Sequence, residues 1–290
     1  MFVQQLVNGI SLGSMYALLA VGFAIVYNIL GIVNFSHGAT IALGAYCAYW
    51  LSTYLRLPLE LSMVLSVTIA GLVSALIERI TLHPLRRKGQ PQIFFFIASL
   101  TVFNLVTAII IYVSKANITS YPRTLIYGSI RMANVIVPKL DVLMLGIAVL
   151  SLLALSAVLY KTKIGLAIRC CSYDSRAAQL MGINPDLVIG TTFLLAGLLG
   201  GIGGALLGAK YAVYPEIGDM VYRAFFACMV GGLGSLTGAI FGGLLIGLIE
   251  TISNAYISAA ISPAITFGLL VVILLVRPQG IAGKLVEDKI

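Results

Sequence analysis

The chain alternates between long apolar stretches and short polar connections. A helix needs about 20 mostly apolar residues to cross a bilayer. Runs of this kind cover roughly residues 2–28, 35–54, 60–78, 92–113, 141–160, 187–209, 222–257 and 262–276. The seventh run is too long for one helix and is interrupted by Gly231-Gly232-Leu233-Gly234. The pattern therefore predicts an all-α, polytopic transmembrane bundle of about eight spans, with a glycine-broken segment near 222–257.

The charged residues indicate which connections face the cytoplasm. Two short connections, 79–90 and 161–176, are rich in basic residues and contain between them one acidic residue, Asp174. Because basic residues concentrate in cytoplasmic connections, we expect both on that side, and the two spans between them agree with this parity. The connection 114–140 is then outside. We place the C-terminal tail inside, on the strength of Arg277, Lys284 and Lys289.

Composition supports a membrane protein and weakens other classes. Sixty per cent of the residues are hydrophobic and 10% are charged, against about 25% charged in soluble chains. The net charge of +8 resides in the short connections, which does not favour nucleic-acid binding. The uncharged opening stretch is longer than a signal peptide, so we expect it to remain as a span. We expect one transmembrane domain over residues 1–290. The four cysteines have no metal-ligand spacing, and no metal is expected.

Glycines are concentrated late in the chain. Half of the 30 glycines lie between residues 187 and 250. Small residues spaced four apart form a groove that lets helix backbones approach closely. The predicted helix-packing residues are Gly200, Gly204, Gly208, Gly234, Gly238 and Gly242. The grooves serve either packing within this chain or the seam with a second subunit.

A few polar residues fall inside apolar runs. An ionisable side chain at the centre of a span costs about 3 kcal/mol or more, so such residues are candidates for a translocation path. The candidates are Asn34, His37, Asn104 and Glu250. An alternative for the first cluster is that Asn34 or Ser36 simply caps the second helix. Glu78 and Arg79 are expected only to mark the cytoplasmic interface.

The sequence offers no catalytic machinery of a familiar kind. It contains no Gly-x-x-x-x-Gly-Lys-Ser/Thr phosphate loop, and no Ser/His or Asp/Asp pair is suitably spaced. We therefore expect no catalytic residue and no enzyme activity. An ion-coupled secondary transporter remains an alternative, in which Glu250 would carry the coupling charge.

A short helix is predicted in the second basic connection. Asp174 is a good N-cap, Ser175 to Met181 form the helix, Gly182 follows it, and Pro185 is expected to act as a stop. A helix this short is marginal alone, so it should pack against another surface. That surface is either a partner protein or the chain's own bundle.

This segment resembles the coupling helix of ABC-importer permeases for branched-chain amino acids, the LivH and LivM type. The matching residues are Gly165, Ala167, Arg169, Asp174, Ala177, Ala178, Met181, Gly182, Ile183 and Asn184. Three further motifs fit in the same order: an N-terminal stretch ending in Asn34-Phe35-Ser36-His37-Gly38, the Gly231–Ala239 run, and Arg277-Pro278-Gln279-Gly280. The resemblance covers nearly the whole chain and is closer to LivH. Departures are the Cys170-Cys171 pair and Ala39.

The resemblance implies a mechanism and a set of partners. A coupling segment over 161–186 would contact the ATPase through Gly165, Arg169, Asp174, Ala177, Ala178, Met181 and Gly182. Two cytoplasmic ATPase subunits would bind ATP-Mg, a second homologous permease would complete the path, and an external binding protein would deliver the amino acid. The chain itself would bind no cofactor and would lie in the bacterial plasma (inner) membrane. Alternative substrates are urea, short amides or another small organic solute.

Overall fold

Helices dominate the chain in the computed structural model, which describes residues 2–122, 128–132 and 135–282. The helices are α1 (Phe2–Leu30), α2 (His37–Thr53), α3 (Leu59–Ile77), α4 (His83–Arg87), α5 (Gln92–Ser114), α6 (Lys139–Lys161), α7 (Lys163–Tyr173), α8 (Ser175–Leu180), α9 (Pro185–Lys210), α10 (Met220–Gly231), α11 (Leu236–Tyr256) and α12 (Ser262–Val276). A π-helical segment, Glu78–Leu82, joins α3 to α4, and a 3₁₀ turn, Pro215–Asp219, precedes α10.

The prediction of an all-α polytopic bundle is confirmed. Six of the described helices are long and apolar enough to cross a membrane: Phe2–Leu30, Leu59–Arg87, Gln92–Ser114, Lys139–Lys161, Pro185–Lys210 and Leu236–Tyr256. Helices α2, α10 and α12 are shorter, so the count of about eight spans stays a prediction. The seventh apolar run is broken as expected, between α10 and α11. Lys284 and Lys289 of the predicted inside tail lie outside the described residues.

The chain divides into two compact units. The first comprises Met1–Ala24, Ile126–Val149 and Tyr222–Ile290, and the second comprises Ile25–Leu125 and Leu150–Val221. Helices α1, α6 and α10 contribute to both units. The prediction of one permease domain over residues 1–290 is not tested by this division.

Close backbone contact between α2, α3 and α9 forms the core of the second unit. A Cβ added at Gly204 would collide with the carbonyl oxygen of Ile41, and one at Gly44 would collide with the backbone of Gly201. The hydroxyl of Ser74 on α3 donates to the carbonyl of Phe193 on α9 (2.7 Å). Glycine here removes the side chain that would otherwise hold the helices apart.

The ends of the same α9 face pack against polar side chains. A Cβ at Gly200 would meet Thr40 and His37, and one at Gly208 would meet the Tyr121 hydroxyl. That hydroxyl donates to the carbonyl of Ala45 on α2 (2.9 Å). The small-residue face of α9 therefore packs within this chain along its length.

Glycines of α11 face α1 and α10 within the first unit. A Cβ at Gly243 would collide with the backbone of Ala17, and one at Gly242 would collide with the carbonyl of Ala227. Gly238 packs in the same way against Gly231. The prediction for Gly234 is wrong: it lies in the 232–235 break with φ +86°, so it shapes the turn and takes no part in a helix groove.

A short antiparallel hairpin, β1 (Ser129–Met132) with β2 (Val135–Pro138), lies in the connection predicted to be outside. The side chain of Gln4 accepts from the N–H of Ile136 (2.8 Å) and donates to its carbonyl (2.7 Å). The start of α1 is thereby held to the hairpin. The sequence reading did not include these strands.

Gly204→Ala tests whether close packing holds the second unit together. We expect a loss of about 1–3 kcal/mol, because the added methyl group has to displace backbone of α2. The measurement is the thermal midpoint of the detergent-purified chain by tryptophan fluorescence or light scattering. Gly190→Ala in the same helix is the matched control, since its nearest atom would lie 3.9 Å away, at Glu78 Oε2. Equal midpoints for both variants would contradict the packing described here.

Candidate functional site

Helix α7 lies beside the end of α6 and begins the segment predicted to couple. The Thr162 hydroxyl accepts from the N–H of Gly165 (3.1 Å) and caps the helix. A Cβ at Gly165 would collide with the carbonyl oxygens of Val158 and Leu159, so only glycine permits this approach. Ile168 and Cys171 are buried on the same face. Burial raises the pKa of the Cys171 thiol, as does neighbouring Cys170, so Cys171 acts as a small apolar residue.

Both ends of the six-residue helix α8 are capped, which explains how so short a helix holds its shape. The Asp174 carboxylate accepts from the N–H groups of Arg176 (2.8 Å) and Ala177 (3.0 Å). At the other end, Gly182 takes φ +84° and the N–H of Ile183 donates to the carbonyl of Ala178 (3.1 Å). The N–H of Gly182 also donates to the carbonyl of Gln179 (3.0 Å). These two hydrogen bonds form a Schellman motif, which satisfies the last carbonyls of a helix.

Helix α9 follows α8 almost at once. The Asn184 side chain accepts from the N–H groups of Asp186 (3.0 Å) and Leu187 (3.4 Å), and Pro185 occupies the first turn of α9. Pro185, expected to act as a stop after α8, also begins α9, because proline is well suited to a first helical turn. Only residues 181–184 separate the two helices, so α8 is closely tied to a long helix of the bundle.

Several large apolar side chains are exposed on the outer surface of α7 and α8 and just after it. Leu180 is 89% exposed and Met181 85% exposed, and Tyr173 is exposed as well. A groove of about 390 Å³ opens beside them, lined by Leu166, Arg169, Cys170, Tyr173, Asp174, Ala177, Ala178, Met181 and Ile183. We call this surface the coupling groove. An exposed apolar patch within a charged connection is typical of a protein docking site.

Not every predicted coupling residue faces outward. Ala178 is 4% exposed and packs beneath the groove, whereas Ala177 is exposed. Arg169 lies over the ring of Tyr160 at 5.2 Å, a distance suited to a cation–π contact. A charge placed at Ala178 would thus disturb packing of the segment, and Leu180 or Met181 is the better probe of docking.

Glu250 is the centre of a buried polar cluster in the first unit. It is 8% exposed, and its carboxylate accepts from the Tyr16 hydroxyl (2.9 Å) and from Arg223 Nε (3.1 Å). Arg223 Nη2 lies 3.0 Å from the second carboxylate oxygen, which makes the pair bidentate. The Ser262 hydroxyl donates to the Glu250 carbonyl (3.3 Å). Side chains of α1, α10, α11 and α12 thus meet at one residue.

Asn34 and His37 lie in the second unit, at the start of α2. Asn34 Oδ1 accepts from the N–H (3.2 Å) and hydroxyl (2.7 Å) of Ser36, while the N–H groups of Gly38 and Ala39 donate to backbone carbonyls. Side-chain capping of α2 is therefore not the role of Asn34. The Thr40 hydroxyl donates to the His37 carbonyl (2.7 Å) and lies 3.5 Å from His37 Nδ1.

Asn104 is apart from that cluster. It lies on α5 and is exposed, whereas its neighbour Phe103 is buried against Gly38 and Gly218. Within the part of the chain that the structure describes, it makes no side-chain hydrogen bond. Asn34 and His37 are both buried near the start of α2, where their side chains have different partners, and Asn104 is exposed on α5.

The comparison with protein families decides the identity of this bundle. A family model described as the permease component of a branched-chain amino acid transport system matches residues 5–276. The chain belongs to this family. Its members are permease subunits of ABC importers of the inner membrane, so the chain is an importer permease rather than a soluble protein.

Several members of the family are similar to this permease over their full length. It is 33% identical to the permease protein BraD of Pseudomonas aeruginosa, over 100% of this chain and 98% of that one. It is 32% identical to LivH of Salmonella typhimurium with the same coverage. A solved structure, PsaBC from Streptococcus pneumoniae in complex with Fab, has a TM-score of 0.53 at 14% identity and covers 96% of this chain and 93% of its own, which shows the fold alone.

Some polar residues of the permease were missed by the sequence reading. Arg223 and Tyr16 meet Glu250 in space but are distant from it in sequence, and Arg223 was read as part of a broken apolar run. Glu78, expected only to mark an interface, is buried and paired with Arg86 (2.9 Å). The sequence could have indicated the Glu250–Arg223 pair, because a charged side chain inside one apolar run is stabilised by an opposite charge inside another apolar run.

Glu250→Gln tests the buried cluster of the permease. We expect a loss of about 2 kcal/mol, less than for a fully buried pair because the Arg223 side chain is 32% exposed. The measurement is a double-mutant cycle with Arg223→Gln, followed by thermal unfolding. The loss of stability in the double variant should be at least about 1 kcal/mol smaller than the sum of the losses in the two single variants. Glu60→Gln, at an exposed acid in α3, is the control. Additive losses would show that the two side chains are not coupled.

Proposed function

We propose that this permease is the membrane-spanning subunit of an ATP-driven importer for branched-chain and other hydrophobic amino acids. The observation that carries the proposal is the full-length similarity to BraD, which is named for high-affinity branched-chain amino acid transport. Relatives with other substrates are more distant. The ribose import permease RbsC of Haemophilus influenzae is 27% identical over 87% of this chain.

The coupling groove is proposed to receive a cytoplasmic ATPase subunit. Two features support this: the exposure of Leu180 and Met181 at the end of a capped helix, and the apolar lining beside them. Apolar side chains that enter a groove provide most of the energy of such interfaces. Two ATPases would bind ATP-Mg, and this chain, which has no phosphate loop, would supply none of the catalytic residues.

Movement of α8 is proposed to reach the bundle through α9. The connection between them is short and capped by Asn184, so α9 has to follow when α8 shifts. Helix α9 in turn contacts α2 through glycines, and Gly200 faces His37. Closely packed elements change between discrete arrangements, which suits a two-state switch that ATP binding biases.

The remaining partners follow from the family's mode of action. We propose a second homologous permease that completes the path and an external binding protein that delivers the amino acid. Exposed Asn104 on α5 supports a protein neighbour at that face, because an amide side chain in a membrane is stabilised by a partner helix. Asn34, His37 and Glu250 are proposed to line the path in their respective units.

Met181→Glu tests the docking role of the coupling groove. We expect at least about 2 kcal/mol loss of binding, roughly thirtyfold in affinity, because a charge would enter an apolar contact. The measurement is recovery of co-expressed ATPase subunits on the tagged permease, with the thermal midpoint as a check on folding. Tyr54→Glu is the matched control, since Tyr54 is also exposed but is separated by the span α3 from the 79–90 connection that is predicted to be cytoplasmic. Full ATPase recovery with Met181→Glu would overturn the assignment.

Uptake by the reconstituted complex tests the substrate and the energy source. Proteoliposomes carrying both permeases, the ATPases and the binding protein should take up labelled leucine only with ATP, and excess isoleucine or valine should compete. Urea and acetamide should not compete, and an ionophore should leave uptake unchanged. Competition by urea would move the substrate to small amides. Uptake that stops with the ionophore and ignores ATP would favour an ion-coupled carrier.

A further inference from the structure

A second cavity lies where α3 and α4 approach the start of α9. It has a volume of about 430 Å³ and is lined by Arg79, His83, Arg87, Asn184, Asp186 and Leu187. We call it the arginine pocket. It is distinct from the coupling groove, with which it shares no lining residue. The transport mechanism proposed above uses none of its basic side chains.

The acidic residues at this place are paired with Arg86 and His83. Arg86 pairs with Asp186 (2.6 Å) and with buried Glu78 (2.9 Å), and His83 Nε2 lies 3.3 Å from Asp186. These pairs connect the π-helical segment to the first turn of α9. The negative charge of Asp186 is therefore directed to Arg86 and His83, and does not serve the arginines that line the pocket.

Arg79 and Arg87 are the two arginines that line the pocket. Both are exposed, and within residues 2–122, 128–132 and 135–282 neither makes a hydrogen bond or an ion pair. Guanidinium groups bind phosphate with two parallel hydrogen bonds. The pocket is thus chemically suited to a phosphate or phosphodiester.

An exposed apolar stripe runs along the end of α3 and into the π-helical segment that carries Arg79. Leu72, Leu76 and Ile80 follow one another at four-residue spacing and are all exposed. Leu187 is exposed on the pocket's other wall. In a membrane-spanning chain such a stripe contacts acyl chains. Arg79 follows Leu76 by three residues, a spacing that places the two on the same helix face.

We propose that the arginine pocket binds the headgroup phosphate of an anionic phospholipid, whose acyl chain lies along Leu72, Leu76 and Ile80. Charge complementarity and the adjoining apolar stripe together select a lipid over a free anion, for which the stripe would have no use. The predicted cytoplasmic position of the 79–90 connection agrees with this proposal, because the cytoplasmic surface of a membrane is enriched in anionic lipid. A bound lipid would hold α4 against the first turn of α9, next to the coupling segment.

The test is a titration of the delipidated full-length chain, in neutral detergent, with mixed micelles that contain phosphatidylglycerol. Binding is measured at each lipid concentration as the rise in the thermal midpoint of the chain. Arg79→Gln with Arg87→Gln should weaken the apparent affinity roughly 25-fold, since each basic residue near an anionic headgroup contributes about fivefold. Arg56→Gln with Lys88→Gln removes the same charge from exposed sites outside the pocket and should change the affinity less than about threefold.

Two further arms identify the source of the phosphate. Phosphatidylcholine micelles and inorganic phosphate should each fail to reproduce the stabilisation by phosphatidylglycerol. If inorganic phosphate stabilises the chain equally and competes with the lipid, the pocket is a site for a free anion and the proposal fails. It fails equally if phosphatidylcholine matches phosphatidylglycerol, or if the pocket and control variants respond alike.

A measurement on the wild-type chain guards against poor folding of the double variant. Native mass spectrometry of the chain from mixed-lipid nanodiscs should show retention of phosphatidylglycerol over phosphatidylcholine. Arg79→Lys with Arg87→Lys preserves the charge and should retain most of that preference. If the wild-type chain retains both lipids equally, the proposal is rejected without the need for any variant.

Discussion

Hydrocarbon offers no hydrogen-bond partner, and most of this structure follows from that constraint. Each backbone N–H and C=O within the bilayer has to be satisfied inside the segment that carries it, which leaves helices as the form available to such a chain. The same constraint explains Glu250. Its carboxylate is stable at 8% exposure because Arg223 and Tyr16 supply donors from other helices. One charge thus determines which helices of the first unit have to meet.

Lipid also removes the usual reason for helices to associate, since acyl chains are as apolar as leucine. Close packing has to replace the hydrophobic effect, and the glycines of α9 and α11 make it possible. Gly204 brings α9 onto the backbone of Ile41, and Gly243 brings α11 onto Ala17. The glycine-rich half of the chain therefore supplies packing in each unit to helices from the N-terminal half.

Local features could be read from the sequence, and distant pairings could not. Apolar length predicted the helices, and Asp174 with Gly182 predicted α8, because caps act within a few residues of the helix they end. Spacing by four also selected Gly200 and Gly204, but it wrongly included Gly234, whose positive φ is a property of the turn. The partners of Glu250 and Glu78 were missed, since one sequence gives no measure of which spans are neighbours.

The junction between α8 and α9 is short and capped, so a displacement of α8 would act directly on the first turn of α9. A force applied at Met181 would pass through three residues, 182–184, to Pro185, so the first turn of α9 would either move as a body or unwind. The Asn184 cap and the contact of Asp186 with Arg86 both oppose unwinding, and the second also ties α9 to α4, whose Arg86 pairs in turn with Glu78 of the π-helical segment. π-helical turns recur at functional sites of helices, and under the coupling role proposed above the segment Glu78–Leu82 would be the place where the end of α3 yields while α9 stays intact. A push on α8 would then reach the contacts around His37 as a displacement of α9.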